Sequence, residues 1–240
     1  MKTLSIVIPA YNEERYIGTL LEQIKAVDLA SVDTVAEIIV VDDCSQDRTA
    51  AIVSAVEGVT LLRMERNGGK GRAVRAGIAA SSGDYLIIQD ADLEYDPQDY
   101  IPMLQLLLSG QADIVYGSRY LGRGRYPNQS LAAYLGGRSL SLIGWAFTGR
   151  YLTDTVTALK LFHRADLASL PLETSGFELD HEITARMLAR GRRIAEVPIR
   201  YFPRSKAEGK KIGLRDWFIA IRTFSRHGSH GKRGGHRKHG

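Results

Sequence analysis

Short apolar runs rich in β-branched residues alternate with helix-like periodicities along the first half of the chain. The runs predict strands at residues 4–8, 37–41, 59–62, 85–88 and 113–116. Between them, the spacing of apolar positions predicts helices at about 13–27, 47–56, 71–80 and 97–108. Because strands and helices alternate strictly, we expect an α/β fold with a mostly parallel central sheet that helices cover on both faces.

The second half of the chain is less regular. Residues 131–148 are apolar with several small residues, and they predict either a pair of core helices or an interfacial helix. In the second case Tyr134 and Trp145 would lie at the headgroup level of a membrane. A strand is predicted at 154–162, a helix at 180–190 and a further strand at 194–202.

The excess positive charge lies at the end of the chain. The formal net charge is +5, and five of the 32 Lys and Arg residues lie in 226–240, where there is no acid. The other 27 balance the 27 acidic residues, so the body of the protein is neutral. We expect this tail to be disordered and to favour an anionic membrane surface, and we expect no nucleic-acid partner.

Cysteine content and hydropathy limit the redox compartment and the kind of membrane association that the protein can have. Cys44 is the only cysteine, which excludes an internal disulfide and fits a reducing compartment. The chain begins with a strand pattern rather than a signal peptide, and no apolar run reaches the roughly 18 residues that a membrane span requires. We therefore expect a protein that is soluble or peripheral to a membrane.

The strongest chemical signal is a pair of carboxylates that follows the apolar run 85–88. Asp90 and Asp92 are one residue apart, so on an extended backbone both can point the same way. Carboxylate oxygens are ligands that Mg²⁺ and Mn²⁺ prefer, and these ions usually bring substrate phosphates with them. Polar clusters at 9–13 and 42–43 also follow predicted strands, and ligands of parallel sheets bind outside the carboxyl ends of the strands.

Two further segments carry positive charge next to glycines. The segment 67–71 places Lys70 at a predicted helix start, where it can reach a phosphate, although it matches neither the dinucleotide nor the P-loop motif. The segment 203–213 combines four basic residues with two glycines, a composition typical of a loop that closes over a pyrophosphate.

With these clusters in place, the chain resembles the family 2 glycosyltransferases of the GT-A fold, and most of all the polyprenyl- or dolichyl-phosphate sugar synthases. The matching segments are IVIPAYNEE (6–14), IIVVDDCSQDRT (38–49), NGGKGRAVRAG (67–77), YLIIQDADLEYDP (85–97), DIVYGSRY (113–120) and EVPIRYFPRSKAEGKKIG (196–213). The resemblance implies a single Rossmann-like domain over 1–225, with a nucleotide-sugar half at about 1–120, an acceptor half at 121–225 and the tail at 226–240.

The resemblance also implies site residues. Asp90, Asp92 and Glu94 would form the metal site, although the dolichyl-phosphate group usually has Gln where Glu94 stands. The catalytic positions would be Asp92, Asp180, Glu182 and Arg204, with Asp154 as a further acidic position on the acceptor side. The positions that bind the nucleotide sugar would be Pro9, Tyr11, Glu13, Val41, Asp43, Lys70, Asp90, Ala91, Arg119, Lys210 and Lys211.

The implied activity is an inverting transfer of a hexose from a UDP- or GDP-linked donor to a polyprenyl phosphate. Mg²⁺ or Mn²⁺ would be the cofactor, and the enzyme would lie at the cytoplasmic face of the membrane, with a membrane protein as a further candidate partner. A lipid phosphate is already anionic and needs no strong base, whereas a hydroxyl acceptor would need Asp180 or Glu182.

Three alternatives remain open from the sequence. The first is the same enzyme class with a hydroxyl acceptor, such as a polysaccharide or a small molecule. The second is a nucleotidyltransferase, which is disfavoured because the segment 9–13 after the first strand is not rich in glycine and basic residues. The third is a protein without activity that binds membrane or nucleic acid through its basic tail.

Overall fold

A seven-stranded sheet forms the centre of the protein. The computed structural model describes residues 1–122, 126, 131–203 and 214–228. The strands are β1 (Lys2–Ala10), β2 (Thr34–Asp42), β3 (Val59–Arg63), β4 (Tyr85–Ile88), β5 (Ile114–Ser118), β6 (Lys160–His163) and β7 (Ile194–Pro198). Their order in the sheet is β3-β2-β1-β4-β6-β5-β7.

The sheet is parallel except at one strand. β1 pairs in parallel with β2 and β4, β2 with β3, and β5 with β7. β6 lies antiparallel between β4 and β5, with Lys160 opposite Ile88 and Tyr116. The mostly parallel α/β fold predicted from the sequence is confirmed, and β6 joins the two halves of the chain in one sheet.

Helices cover both faces of this sheet. They are α1 (Ile17–Lys25), α2 (Thr49–Ser54), α3 (Lys70–Ala80), α4 (Tyr100–Leu108), α5 (Leu131–Thr148), α6 (Arg164–Ala168), α7 (Leu179–Ala189) and α8 (Leu214–His227). Within β1, Ile6 and Ile8 pack into the core beneath α1 and α4, whereas Val7 packs into the core beneath α3 and α7. A strand that is buried on both faces reads as a continuous apolar run, which is why the sequence identified it.

The predicted strand at 154–162 is wrong over most of its length, because only Lys160–His163 pairs as β6. Upstream of β6 the backbone amides donate to side chains instead of to a neighbouring strand. Thr153 and Asp154 donate to the Glu196 carboxylate at 2.7 and 2.9 Å, and Thr155 donates to the Ser141 hydroxyl at 3.3 Å. The segment is therefore a loop that is fixed by side-chain acceptors.

Two predictions for the second half change, and the helix α8 is one that the sequence did not predict. Residues 131–148 form the single helix α5, which excludes the helix pair and leaves the single helix. α8 continues through Arg226 and His227, two residues beyond the predicted start of the tail, because Arg226 pairs with Glu173 at 2.9 Å and the His227 side chain is largely buried. Among the described residues, none of the helices has the length and apolar character that crossing a bilayer demands.

Candidate active site

The carboxyl ends of β1, β2 and β4 bring the predicted polar clusters to one edge of the sheet. Ala10 at the end of β1 lies opposite Asp42 at the end of β2, and Val7 lies opposite Ile88 at the end of β4. The amide of Asp43 donates to the carbonyl of Ala10 at 2.8 Å and holds the two chain ends together. Three of the predicted clusters are therefore adjacent, as expected for a ligand site of a parallel sheet.

The turn after β1 is fixed and leaves an aromatic ring exposed. Asn12 has a left-handed backbone (φ 56°), and its amide donates to the Ser45 hydroxyl at 2.9 Å. The amide of Glu13 donates to the Thr49 hydroxyl at 2.8 Å. Pro9 is half-buried, whereas Tyr11 is 44% exposed and offers its ring at this edge.

Asp43 fixes the glycine-rich segment that precedes α3. Its carboxylate accepts hydrogen bonds from the amides of Gly68 at 2.9 Å and Gly69 at 2.7 Å. Gly69 has a positive φ of 84°, and a Cβ at this position would lie 2.6 Å from the carbonyl oxygen of Ser175, so glycine is required there. Asp43 therefore determines where α3 begins and where Lys70 lies.

Val41 and Ala91, two predicted donor contacts, are buried. Val41 is fully buried and packs with Ile39 and Ala73 between the sheet and α3. The side chain of Val41 therefore does not line the surface of the site, because strand alternation turns it towards the helix while Asp42 and Asp43 follow it at the edge. Ala91 is 3% exposed and packs into the core beneath α1 and α4.

The carboxylates after β4 differ in their surroundings. Asp90 pairs with Lys70 at 2.7 Å between Oδ1 and Nζ. Asp92 accepts a hydrogen bond from the amide of Glu94 at 3.2 Å, across a turn in which Leu93 has a positive φ of 60°. The Glu94 carboxylate accepts from the Tyr201 hydroxyl at 3.0 Å.

These residues fit a divalent cation only in part. In the portion of the chain that is described, no group of three His, Cys, Asp or Glu side chains is arranged to hold a metal. Among these described residues the predicted triad of Asp90, Asp92 and Glu94 is therefore not brought together as a set of three. One oxygen of Glu94 accepts from Tyr201. Asp90 and Asp92 still provide the one or two carboxylates with which Mg²⁺ sites are commonly built when substrate phosphates supply the other ligands.

Asp90 is the outermost of four charged side chains that alternate in sign. Lys70 Nζ lies 2.7 Å from Asp90 Oδ1 and 3.6 Å from Asp180 Oδ2. Asp180 Oδ1 in turn lies 2.6 Å from the ammonium of Lys160. We call Lys160, Asp180, Lys70 and Asp90 the open cluster, because Asp90 is 23% exposed at its outer end.

Electrostatics keep the two central members of the open cluster, Lys70 and Asp180, charged, whereas burial lowers the pKa of the Lys160 ammonium despite its contact with Asp180. Burial opposes the charge on Lys70, but the carboxylates of Asp180 and Asp90 outweigh it and raise the pKa of the ammonium. Burial likewise acts against ionised Asp180, yet Lys160 and Lys70 hold the pKa of its carboxyl below the ordinary value. A carboxylate that is paired with two lysines is a poor general base, which argues against the predicted catalytic role of Asp180.

A second group of charges surrounds Arg119. Its guanidinium binds Asp154 in a bidentate manner, with Nε–Oδ2 at 2.7 Å and Nη2–Oδ1 at 2.8 Å. The Asp154 amide donates to Glu196, and the ring of Tyr201 lies 5.3 Å from the guanidinium carbon. We call Arg119, Asp154 and Glu196 the closed cluster, because Asp154 is fully buried and both of its oxygens are taken by Arg119.

Glu182 does not accompany Asp180 at the site. Its carboxylate accepts hydrogen bonds from the amide and hydroxyl of Thr174 at 2.9 and 2.7 Å and pairs with Arg186 at 2.7 Å. Burial opposes its charge, but these bonds lower the pKa of the Glu182 carboxyl. Residues two positions apart lie on different faces of a helix, which is why the predicted pair separates.

Comparison with known proteins identifies the family. The Glycosyl transferase family 2 profile matches residues 5–168, more than half of the chain. The chain is a family 2 glycosyltransferase. A dolichyl-phosphate hexose transferase of Haloferax volcanii is 31% identical over 203 residues, which cover 84% of this chain and 84% of that protein. A dolichol-phosphate mannosyltransferase of Pyrococcus furiosus is 30% identical over 217 residues, which cover 88% of this chain and 59% of that protein.

A solved structure confirms the fold of this glycosyltransferase. Glucosyl-3-phosphoglycerate synthase from Mycobacterium tuberculosis, in complex with Mn²⁺, UDP and phosphoglyceric acid, superposes with a TM-score of 0.71. The two sequences are 24% identical, and the match covers 95% of this chain and 79% of that chain. The GT-A architecture expected from the sequence is therefore confirmed.

Sequence reasoning missed two residues that contact the predicted site residues. Lys160 is fully buried, and its partner Asp180 lies 20 positions away on another element. Tyr201 contacts both Glu94 and Arg119. A lysine within the apolar run of β6 was the available signal for Lys160, because lysine is almost never fully buried without a partner. The predicted residues Arg204, Lys210 and Lys211 lie outside the described residues.

Proposed function

We propose that this glycosyltransferase transfers a hexose from a UDP- or GDP-linked donor to a polyprenyl phosphate, with inversion and with Mg²⁺ or Mn²⁺. The product would be a polyprenyl-phosphate-sugar. The relatives from Haloferax volcanii and Pyrococcus furiosus are named for dolichyl phosphate and dolichol phosphate, which supports this acceptor class. The observation that carries the proposal is the open cluster, which places a cation and a carboxylate together at the carboxyl edge of the sheet.

In this proposal the edge of β1 and β2 binds the nucleoside. Tyr11 offers an exposed ring for the base, and Pro9 and Glu13 flank it in the fixed turn. Asp43 acts on the donor through the glycine-rich segment that it holds, in addition to its predicted contact with the nucleotide. The side chains of Val41 and Ala91 support this edge from the core.

The diphosphate would lie between the end of β4 and the start of α3. Asp90 and Asp92 would hold the metal, which acts as a Lewis acid on the charge that develops on the leaving diphosphate. Lys70 is close enough to Asp90 to reach a phosphate bound there, and the N-terminus of α3 favours the same anion. Arg119, Arg204, Lys210 and Lys211 are proposed as further cations that face the donor and acceptor phosphates.

The surroundings of the two candidate bases favour a phosphate acceptor over a hydroxyl. Asp180 is held by two lysines, and Glu182 is engaged by Thr174 and Arg186. A hydroxyl acceptor would need one of them as a base, whereas an anionic phosphate oxygen can attack the anomeric carbon unaided. Direct displacement of the diphosphate would invert the anomeric configuration.

One helix offers a surface that suits a membrane-bound acceptor. Leu131, Leu135, Leu142 and Trp145 of α5 are 58, 55, 52 and 50% exposed. Their spacing puts them on one stripe of the helix, opposite the buried Leu140 and Gly144. We propose that this stripe lies at the cytoplasmic face of the membrane and that the basic tail adds attraction to anionic lipids.

Mass spectrometry of the products tests the proposal. Purified protein is mixed with Mn²⁺ or Mg²⁺, a polyprenyl phosphate and, one at a time, UDP- and GDP-linked hexoses. We expect a glycosylated lipid phosphate with one donor and none with the Asp92→Ala variant. Metal-dependent hydrolysis of a donor without a lipid product would overturn the acceptor and keep the sugar-nucleotide site.

A further inference from the structure

Lys160 is a buried cation for which the proposed reaction has no direct use. It lies in β6, the antiparallel strand at the middle of the sheet, and its side chain is fully buried. Its ammonium donates to the carbonyl of Thr157 and to Asp180 Oδ1, both at 2.6 Å, and lies 5.1 Å from the centre of the Tyr116 ring. An unpaired lysine there would be strongly destabilising, so the Asp180 carboxylate is required for Lys160 to be charged.

Asp180 divides its two oxygens between two lysines. Oδ1 is 2.6 Å from Lys160 and Oδ2 is 3.6 Å from Lys70, so one contact is a close hydrogen bond and the other is a looser ion pair. Lys70 instead makes its close contact with Asp90 at 2.7 Å. Lys70 lies closer to Asp90 than to Asp180 because Lys160 already neutralises the charge of Asp180.

Removing Lys160 would change this balance. Asp180 would keep a full negative charge in a buried place, with Lys70 as the nearest cation among the described side chains. Lys70 would then be drawn inward, since a buried charge without a partner is costly. The outer end of the open cluster would lose the cation that lies beside Asp90.

We infer that Lys160 is a positioning residue for the donor, an inference that rests on the proposed role of Lys70 in binding the donor diphosphate. By neutralising Asp180, Lys160 leaves the ammonium of Lys70 at Asp90, where the diphosphate is to bind. Lys160 does not touch the donor and acts only through Asp180 and Lys70. The same geometry makes Asp180 a spacer between two cations.

Calorimetric titration of UDP and GDP in excess MnCl₂ tests this inference with the whole chain. We expect Lys160→Met to bind the preferred nucleoside diphosphate about tenfold more weakly than the wild type, as expected for the loss of one charged hydrogen bond. Binding of the corresponding nucleoside, which has no phosphate, is expected to be unchanged. A general loss of structure would weaken the binding of both the nucleoside diphosphate and the nucleoside.

A double variant separates positioning from structural damage. Lys160→Met with Asp180→Asn removes one charge of each sign and leaves Lys70 with Asp90 alone, so most of the diphosphate affinity should return. If the single variant does not fold, the double variant decides. A folded double variant that binds the diphosphate about tenfold more weakly than the wild type, or weaker still, would overturn the inference.

Two further variants complete the design. Lys2→Met removes a lysine that pairs with Asp84 at 2.9 Å at the opposite end of the sheet, and it should bind the diphosphate like the wild type. Lys70→Met should weaken binding of the diphosphate at least as much as Lys160→Met does. Wild-type affinity in Lys70→Met would refute the donor role of Lys70 itself. Weaker diphosphate binding in Lys70→Met together with wild-type binding in Lys160→Met would refute only the positioning role of Lys160.

Discussion

The open and closed clusters contain similar charges but arrange them differently. In the closed cluster, Arg119 and Asp154 share two short hydrogen bonds, and Asp154 is fully buried. In the open cluster, Lys70 is shared between two carboxylates at unequal distances, and one of them is partly exposed. Bidentate geometry is a property of arginine, whereas lysine acts as a compact point charge that can change partners.

The difference indicates that the closed cluster stabilises the fold and that the open cluster is suited to binding a ligand. The bidentate pair of Arg119 and Asp154 fixes both side chains and links the two halves of the chain. Arg119 can therefore meet a phosphate only with the N–H groups that Asp154 leaves over. A chain of alternating charges that ends at the surface can accept a cation or a phosphate with a small movement of one side chain. We therefore expect variants of the closed cluster to affect stability first, and variants of the open cluster to affect ligand binding and turnover first.

The largest effect should follow from breaking the closed cluster. Asp154→Ala leaves Arg119 largely buried without its carboxylate, and we expect a loss of about 3–5 kcal/mol in the free energy of unfolding. Urea denaturation followed by circular dichroism measures it. The control is Asp84→Ala, which removes a solvent-exposed ion pair with Lys2 and should change the stability little. Equal effects in the two variants would contradict the closed cluster as a stabilising unit.

The next largest effect should follow from the carboxylate beside the open cluster. Asp92→Ala should lower turnover at least about 10²-fold, because it removes electrostatic stabilisation of the leaving diphosphate. Steady-state transfer assays measure the change, and thermal denaturation should give a melting temperature close to that of the wild type. Turnover near the wild-type value in a folded variant would exclude Asp92 from the metal site.

The two acids of α7 sharpen the comparison within a single helix. Glu182→Gln weakens the bonds to Thr174 and Arg186, and we expect a loss of about 1–3 kcal/mol of stability. Nucleoside-diphosphate affinity should stay unchanged in this variant, whereas Asp180→Asn should alter it. Urea denaturation and calorimetric titration of both variants measure these quantities. A change of affinity in Glu182→Gln alone would reverse the assignment.

The effect that needs no substitution is a pH dependence that arises next to the open cluster and is small over any one pH unit. Burial lowers the pKa of His181 to about 4, with Lys160 acting in the same direction and Asp180, Glu178 and Asp216 against it. The unfolded chain binds this proton at higher pH than the native one, so stability falls as the pH drops from the ordinary histidine pKa towards 4. The slope from this one group approaches about 1.4 kcal/mol per pH unit.

Urea denaturation between pH 7 and 4 measures this slope in the wild type and in His181→Leu. The variant should have a smaller slope than the wild type, and the part that remains includes His227, whose pKa burial also lowers. Substitution of the exposed His163 by Asn should leave the slope unchanged. The lowered pKa of Asp180 also makes stability fall with falling pH, but only below the ordinary Asp pKa and thus outside this range. A slope in His181→Leu equal to that of the wild type would place the titration elsewhere.

The fold of the first half followed from the sequence because its central strands are buried on both faces. The runs 4–8 and 85–88 are apolar except for Ser5, and they appear as β1 and β4. The strand prediction was wrong at 154–159 because Thr155 and Thr157 alternate with apolar residues, as they would in a strand. The backbone amides there donate instead to the side chains of Glu196 and Ser141. A loop of this kind depends on acceptors that are distant in sequence.

The site was predictable in position but only partly in detail. Parallel strands determine that Asp43 and Asp90 meet at one edge, whatever their exact contacts. The binding of Asp43 to the amides of Gly68 and Gly69 and the sharing of Lys70 between two acids depend on tertiary packing. Glu94 illustrates the limit, since its Tyr201 partner lies 107 residues further along the chain.

The acceptor is the central claim, and a matched pair of acceptors tests it most directly. The protein is incubated with the preferred donor, Mn²⁺ and either a polyprenyl phosphate or the polyprenol of the same length, and the products are analysed by mass spectrometry. We predict that the hexose is transferred to the phosphate and not to the alcohol, because Asp180 and Glu182 are both engaged in ion pairs. Transfer to the alcohol at a comparable rate would contradict this account.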